Sequence, residues 1–136
     1  MIEINHITNH NIHIPKAWGE EVIIHNGEDY CGKLLRFMKN AKFSMHFHSK
    51  KTETWYVNKG EFQLITIDTR DARRQKINLL AGDIVHIEPN TPHQLIAFEE
   101  GEIFEVSTPH YDDDSYRIVK NNGNICRYRR HNMQNS

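Results

Sequence analysis

The chain has 136 residues and a mass of 16.1 kDa, which suits one domain. Seventeen basic and eighteen acidic residues leave a net charge of −1, which excludes the clustered positive field of a nucleic-acid binder. Hydrophobic residues make up 38%, enough for one modest core, and no apolar run approaches the roughly 20 residues that span a bilayer.

Residues 1–17 read as an N-terminal arm in which Ile2, Ile4, Ile7, Ile12 and Ile14 are available to pack. Short apolar segments then alternate with turn signals. Residues 21–25 carry Val22, Ile23 and Ile24 and stop at Asn26-Gly27. Residues 30–38 break at Lys39-Asn40, and 43–48 run into the polar stretch 49–52. Residues 54–57 end at Asn58-Lys59-Gly60 and 61–68 begin at once, which predicts a hairpin. A charged loop at 70–76 precedes 77–80, and Ala81-Gly82-Asp83 leads into 84–87. Residues 93–98 follow the rigid loop 88–92, and 102–107 stop before Pro109. Eight or nine strand-length pieces, with almost nothing at helical period, predict an all-β domain of antiparallel sheets over 18–117. The polar, basic stretch 118–136 is expected to be a poorly ordered tail.

Ten histidines are the compositional anomaly and point to metal binding. In a strand, His46 and His48 project from one face, with Ser44 beside them and Met45 and Phe47 on the other. Two imidazoles buried together are costly unless something binds both, and a divalent cation does so. Glu53, beyond the loop 49–52, can bring a carboxylate to the same centre. His93, held at the end of the loop 88–92, supplies a fourth ligand. The expected cofactor is one divalent ion, of a kind suited to imidazole and carboxylate: Zn, Fe, Mn or Ni. The two cysteines, Cys31 and Cys126, cannot form a disulfide framework and read as free thiols of a cytoplasmic protein.

This pattern resembles the cupin family. His46, His48, Glu53 and Gly60 match its first motif, with four residues between His48 and Glu53 and six between Glu53 and Gly60. Gly82, Asp83 and His93 match the second. Asn40 stands where a leading Gly is expected, Asn90 replaces a turn Gly, Glu88 replaces a Pro, and Ala97 stands where an Asn is usual. The resemblance implies a cupin jelly-roll barrel of two packed sheets with the metal inside. A closer resemblance, carried by Lys33, Ser44, His46, His48, Glu53 and Trp55, is to the cupin domain of type II mannose-6-phosphate isomerases. That family has Gln where His46 stands. Glu105-Val106, Asp112–Asp114 and Arg117 resemble its later part. No nucleotidylyltransferase domain is expected before the barrel.

The implied activity is aldose–ketose isomerisation of a sugar or sugar phosphate, and each further residue has a bland alternative. Glu105 is the first candidate base, although Ile103, Phe104 and Val106 leave its face open. Lys33 could hold a phosphate or an enediolate oxygen, or it could snorkel, with Arg36 on the opposite face as its competitor. Arg117, Trp55, His86 and His110 are candidate substrate contacts. His86 is placed on the barrel interior with Ile84. Trp18 and Trp55 could stack on a sugar or pack in the core. Asp112–Asp114 read as a solvated turn, and His6, His10, His13, His25 and His131 as surface. The competing functions are another metal cupin enzyme, a dioxygenase or sugar-nucleotide epimerase, and a non-catalytic sugar-binding module. The partner expected is a small sugar or sugar phosphate, with the Ile-rich arm favouring a homodimer.

Overall fold

The computed structural model describes residues 12–119 and 125–130. Twelve strands follow in chain order: β1 (Ile12–Lys16), β2 (Gly19–Asn26), β3 (Cys31–Phe37), β4 (His46–Phe47), β5 (Glu53–Lys59), β6 (Glu61–Ile67), β7 (Arg74–Leu80), β8 (Ile84–Ile87), β9 (His93–Ala97), β10 (Gly101–Ser107), β11 (Tyr116–Val119) and β12 (Ile125–Arg130). They form two six-stranded sheets, ordered β1-β2-β3-β10-β5-β8 and β12-β11-β4-β9-β6-β7. Every pairing is antiparallel. This is the jelly roll expected from the sequence.

Alternation explains the core. Leu35, Ile103 and Val57 lie side by side in register on the inner face of the first sheet, and all three are buried. Phe62, Leu64 and Leu95 answer from the second sheet. Trp18 stacks on Phe37 with centroids 4.4 Å apart, and Phe37 meets Phe62 edge-on at 5.3 Å, which joins the sheets. Each such side chain contributes on the order of 2 kcal/mol by leaving water.

Three departures from the sequence expectations position the site. The turn at Asn58-Lys59-Gly60 is not a hairpin, because β5 pairs with β10 and β8 while β6 pairs with β7 and β9. It carries the chain across a corner from one sheet to the other. The strand expected at 43–48 is regular at His46–Phe47, with Lys42 making an isolated bridge to Ile96. Part of the tail expected to be poorly ordered is β12, paired with β11. Within the arm, Ile12–Lys16 are β1, paired with β2; residues 1–11, with His6 and His10, and residues 120–124 and 131–136 lie outside the described residues.

The corner depends on Gly60. Its φ is +94°, and a Cβ there would lie 2.9 Å from the Gly101 Cα. Gly60→Ala is therefore expected to lower stability by about 2 kcal/mol in chemical denaturation. Asn40 and Asn90, the two Asn residues standing in for glycines of the motif, have φ of 66° and 63°. Their short polar side chains tolerate that left-handed backbone.

Candidate metal centre

The histidines His46, His48 and His93 each offer a ring nitrogen, and the three nitrogens lie within 4.8 Å of one another. Strand pairing brings them together: His46 on β4 is the cross-strand neighbour of His93 on β9. Each Nδ1 lies 2.8 Å from a backbone carbonyl: Ser44 for His46, Asp114 for His48 and Thr91 for His93. A carbonyl accepts only, so each Nδ1 carries the proton and donates. In the neutral imidazole this leaves the lone pair on Nε2. Burial holds His48 neutral, pushing its pKa well below the ordinary histidine value.

Glu53 completes the set. Its Oε1 accepts the Trp55 Nε1–H at 2.8 Å and lies 3.9 Å from His93 Nε2; its Oε2 lies 3.7 Å from His48 Nε2. Burial, the largest single influence, would raise this carboxyl's pKa, but the surrounding positive charge, led by the Lys51 ammonium, together outweighs it and the net shift is downward. Lys51 Nζ is 3.2 Å from Oε2, an ion-pair distance, and no other group bonds this buried oxygen. Three imidazoles, each with its Nδ1 committed to a backbone carbonyl, and the Glu53 carboxylate converge. That donor set fits a divalent cation.

Around the centre lies a cavity of about 40 Å³, lined also by Glu21, Lys33, Lys51, Glu105 and His110. Its volume suits roughly three waters. Lys51 bridges Glu53 and Glu105, with Nζ 3.3 Å from Glu105 Oε2. Burial pulls the Lys51 pKa down, and the two carboxylates more than reverse that. Lys33 pairs with Glu21 at 3.3 Å, and Lys16 lies 4.0 Å from the same carboxylate. Burial lowers Lys16 to about 8 despite Glu21.

The predicted residues divide as follows. Lys33, Trp55, Glu105 and His110 line the cavity; Arg117 does not, although it stands opposite His46 in the β11–β4 register. Trp18 and Trp55 are core residues, 2% and 1% exposed. Arg36 is exposed and paired to Glu20 and Glu102. His86 is corrected: it is exposed on the outer face, bound to Thr54 Oγ1, and Ile84 beside it is 61% exposed. The inner positions of β8 are Val85 and Ile87, so the alternation runs one residue out of step with the expectation.

Sequence reasoning missed Lys51, Glu21 and Asp114. Asp114 is no solvated turn residue. It is 3% exposed, and its carboxylate accepts the backbone N–H of Ser49, Lys50 and Lys51 and the Ser49 hydroxyl. Its carbonyl accepts the His48 Nδ1–H, so one residue sets both the loop and a ligand. Asp114→Ala is expected to lose about 2–3 kcal/mol of stability and roughly tenfold or more in metal affinity, read by denaturation and metal titration.

His110 offers a pH test. Burial, with Lys33 and Lys51 adding to it, pushes its pKa down to about 2. The unfolded chain takes up this proton near pH 6.5, and the folded chain refuses it. Stability is thus lost as pH falls below about 6.5, at up to about 1.4 kcal/mol per pH unit from this group. Denaturation profiles of wild type and His110→Gln should diverge there, the variant being flatter.

Residues 33–110 match the family model described as a cupin domain. Over 134 residues, 90% of the chain, the sequence is 25% identical to mannose-1-phosphate guanylyltransferase of Salmonella muenchen, and it spans 26% of that protein's length. KdgF from a Halomonas species is similar in structure, with a TM-score of 0.60, 22% identity and coverage of 69% of this chain and 81% of that one. The oxalate decarboxylase of Bacillus subtilis, in its structure at pH 4.6, matches with a TM-score of 0.68 at 16% identity, over 85% of this chain and 34% of that one. Among the described residues, no helix is long and apolar enough to cross a membrane.

Proposed function

We propose that this chain, which belongs to the cupin family, is a metal-dependent aldose–ketose isomerase acting on a sugar or sugar phosphate. The observation that carries the reading is the bridge in one cavity from a chelating set to a carboxylate, Glu53–Lys51–Glu105. When bound, a divalent ion supplies polarisation of a carbonyl and acidification of the neighbouring hydroxyl. Glu105 is the base that takes the proton from C2 and returns it to C1, and Lys51, 3.3 Å away, holds its carboxylate in place. Lys33 faces the negative charge that develops on the substrate oxygen. Trp55 and His110 bound the substrate space, and Arg117 takes a phosphate if the sugar carries one. His46, His48, Glu53 and His93 hold the ion, whether Zn, Fe, Mn or Ni.

The 25% identical relative, a sugar-phosphate enzyme by name, supports the substrate class. The test is metal analysis followed by isomerase assays on mannose 6-phosphate and on unphosphorylated aldoses. Glu105→Gln should lower kcat by about 10²–10⁴ with metal content unchanged. Absence of turnover in every metal-loaded form overturns the isomerase. The small cavity favours one second reading, a dioxygenase for a small substrate, which oxygen uptake by the Fe(II)-loaded protein would reveal. Binding of sugar without turnover would instead indicate a sugar-binding module.

The same proposal has the chain work as a homodimer in the cytoplasm. Tyr56, Phe104 and Leu34 adjoin in register on the outer face of the first sheet, next to Ile84, and Tyr56 and Ile84 are exposed. A second copy would cover this apolar row. Light scattering should give twice the 16.1 kDa chain mass, and a single-chain mass overturns the dimer. The buried free thiol of Cys31 suits a reducing compartment.

A further inference from the structure

The buried charges of the cavity are unevenly distributed. At one end, the Glu21 carboxylate serves both Lys33 and Lys16, at 3.3 and 4.0 Å. At the other, the Lys51 ammonium serves both Glu53 and Glu105, at 3.2 and 3.3 Å. One end has a surplus of positive charge and the other, where the histidines converge, a surplus of negative charge. The three ammonium groups and three carboxylates balance overall. Asp112 also faces this region, at 3.5 Å from His110 Nε2, but its side chain is 71% exposed and therefore screened by water.

A divalent cation at the histidine end reverses the sign there and leaves the Lys33 end as it was. The loaded cavity of about 40 Å³, counted with the buried Lys16 beside Glu21, then carries two net positive charges, one at each end. Uncompensated charge in so small a buried space is costly, so a ligand that carries negative charge into the cavity is favoured over a neutral one.

We propose that the metal-loaded cavity is a dianion site, in which Lys33, backed by Lys16, holds an oxyanion of the ligand while its other anionic oxygens face the metal end. The ligand class is small molecules with two negative charges close together, a carboxylate or phosphate at the lysine end. This rests on the metal centre of the preceding reading but not on isomerase activity. It assigns Lys16 and Glu21, which that reading leaves unused. Glu21 sets the charge of the lysine end and acts as a positioning residue for Lys33.

The test uses the Co(II)-loaded full chain, with cobalt absorbance and thermal shift as readouts. Malonate is the dianionic probe, malonamide its neutral counterpart and inorganic phosphate the third arm. Malonate is expected to bind roughly tenfold or more tightly than malonamide. The metal-free protein should show no such preference. Whether phosphate or malonate binds better identifies the oxyanion, and either order supports the site. Lys33→Met should lose most of the preference, and Glu21→Gln should increase affinity for malonate, because it adds one positive charge to the lysine end. Opposite signs for the two variants separate an electrostatic role from a packing role even if Lys33→Met folds poorly. Equal affinity for malonate and malonamide, or weaker malonate binding by Glu21→Gln, overturns the proposal. Failure of the wild type to take up cobalt overturns the metal centre itself, so the two failures are distinguishable.

Discussion

His93→Ala is expected to abolish tight metal binding, with the chain retaining no ion after dialysis while wild type keeps a single equivalent. His93 is 1% exposed and its Nδ1 is committed to the Thr91 carbonyl, so Nε2 is the atom it offers to the centre. Glu53 cannot substitute by turning, since its Oε1 is held by Trp55 Nε1. Affinity should fall by about 100-fold or more, beyond what loss of a supporting contact does. A ligand at a thousand times its Kd stabilises the native state by about 4 kcal/mol. For a domain of this size that is roughly 15 °C between loaded and metal-free wild type. In His93→Ala the difference should shrink to about 5 °C or less. A variant that binds the ion as tightly as wild type would show that the histidines are only neighbours in the core.

The metal set was legible because its signal is local. His46 and His48 need only the two-residue period of a strand to share a face, and Glu53 and His93 follow at the starts of β5 and β9. Asn40 and Asn90 were legible for a similar reason: each takes the left-handed backbone of the glycine it replaces. The face of Glu105 was not legible, because the outer face of the first sheet is itself apolar. Phe104 and Val106 alternate with Ile103 and Glu105, and either set could have faced inward. The same ambiguity reversed His86. Sheet membership at Gly60 is a non-local fact, and a tight turn between two strands does not reveal whether they pair.

The supporting charges were hidden for a different reason. Lys50 and Lys51 are adjacent in a polar loop, and composition treats them alike. What separates them is Asp114, more than sixty residues away, whose carboxylate gathers the loop's N–H groups and leaves Lys51 pointing inward. A lone lysine in such a stretch is normally solvated. Glu21 was obscured by the apolar Val22, Ile23 and Ile24 that follow it. Both become readable only when two carboxylates or two lysines are seen to share one partner.

Lys51→Met should therefore be among the most damaging single changes outside the ligands. It removes the shared counter-ion of Glu53 and Glu105, which are 2% and 4% exposed, and leaves two carboxylates buried within reach of each other. Breaking a buried ion pair by removing one partner costs about 3–5 kcal/mol. The loss should shrink at low pH: the orphaned carboxyls then have raised pKa values, and a group with a raised pKa stabilises the fold as pH falls through it. Added divalent metal should also restore part of the loss, since it supplies Glu53 with a cation. The double change Lys51→Met with Glu105→Gln tests the cause. If the damage is electrostatic, removing the second carboxylate recovers a substantial part of the stability although the cavity is no better packed. If packing is the cause, the double variant is no more stable than Lys51→Met alone. A single variant within about 1 kcal/mol of wild type would mean that the bridge from Glu53 to Glu105 is not held by this ammonium, and the positioning assigned to Glu105 would fall with it.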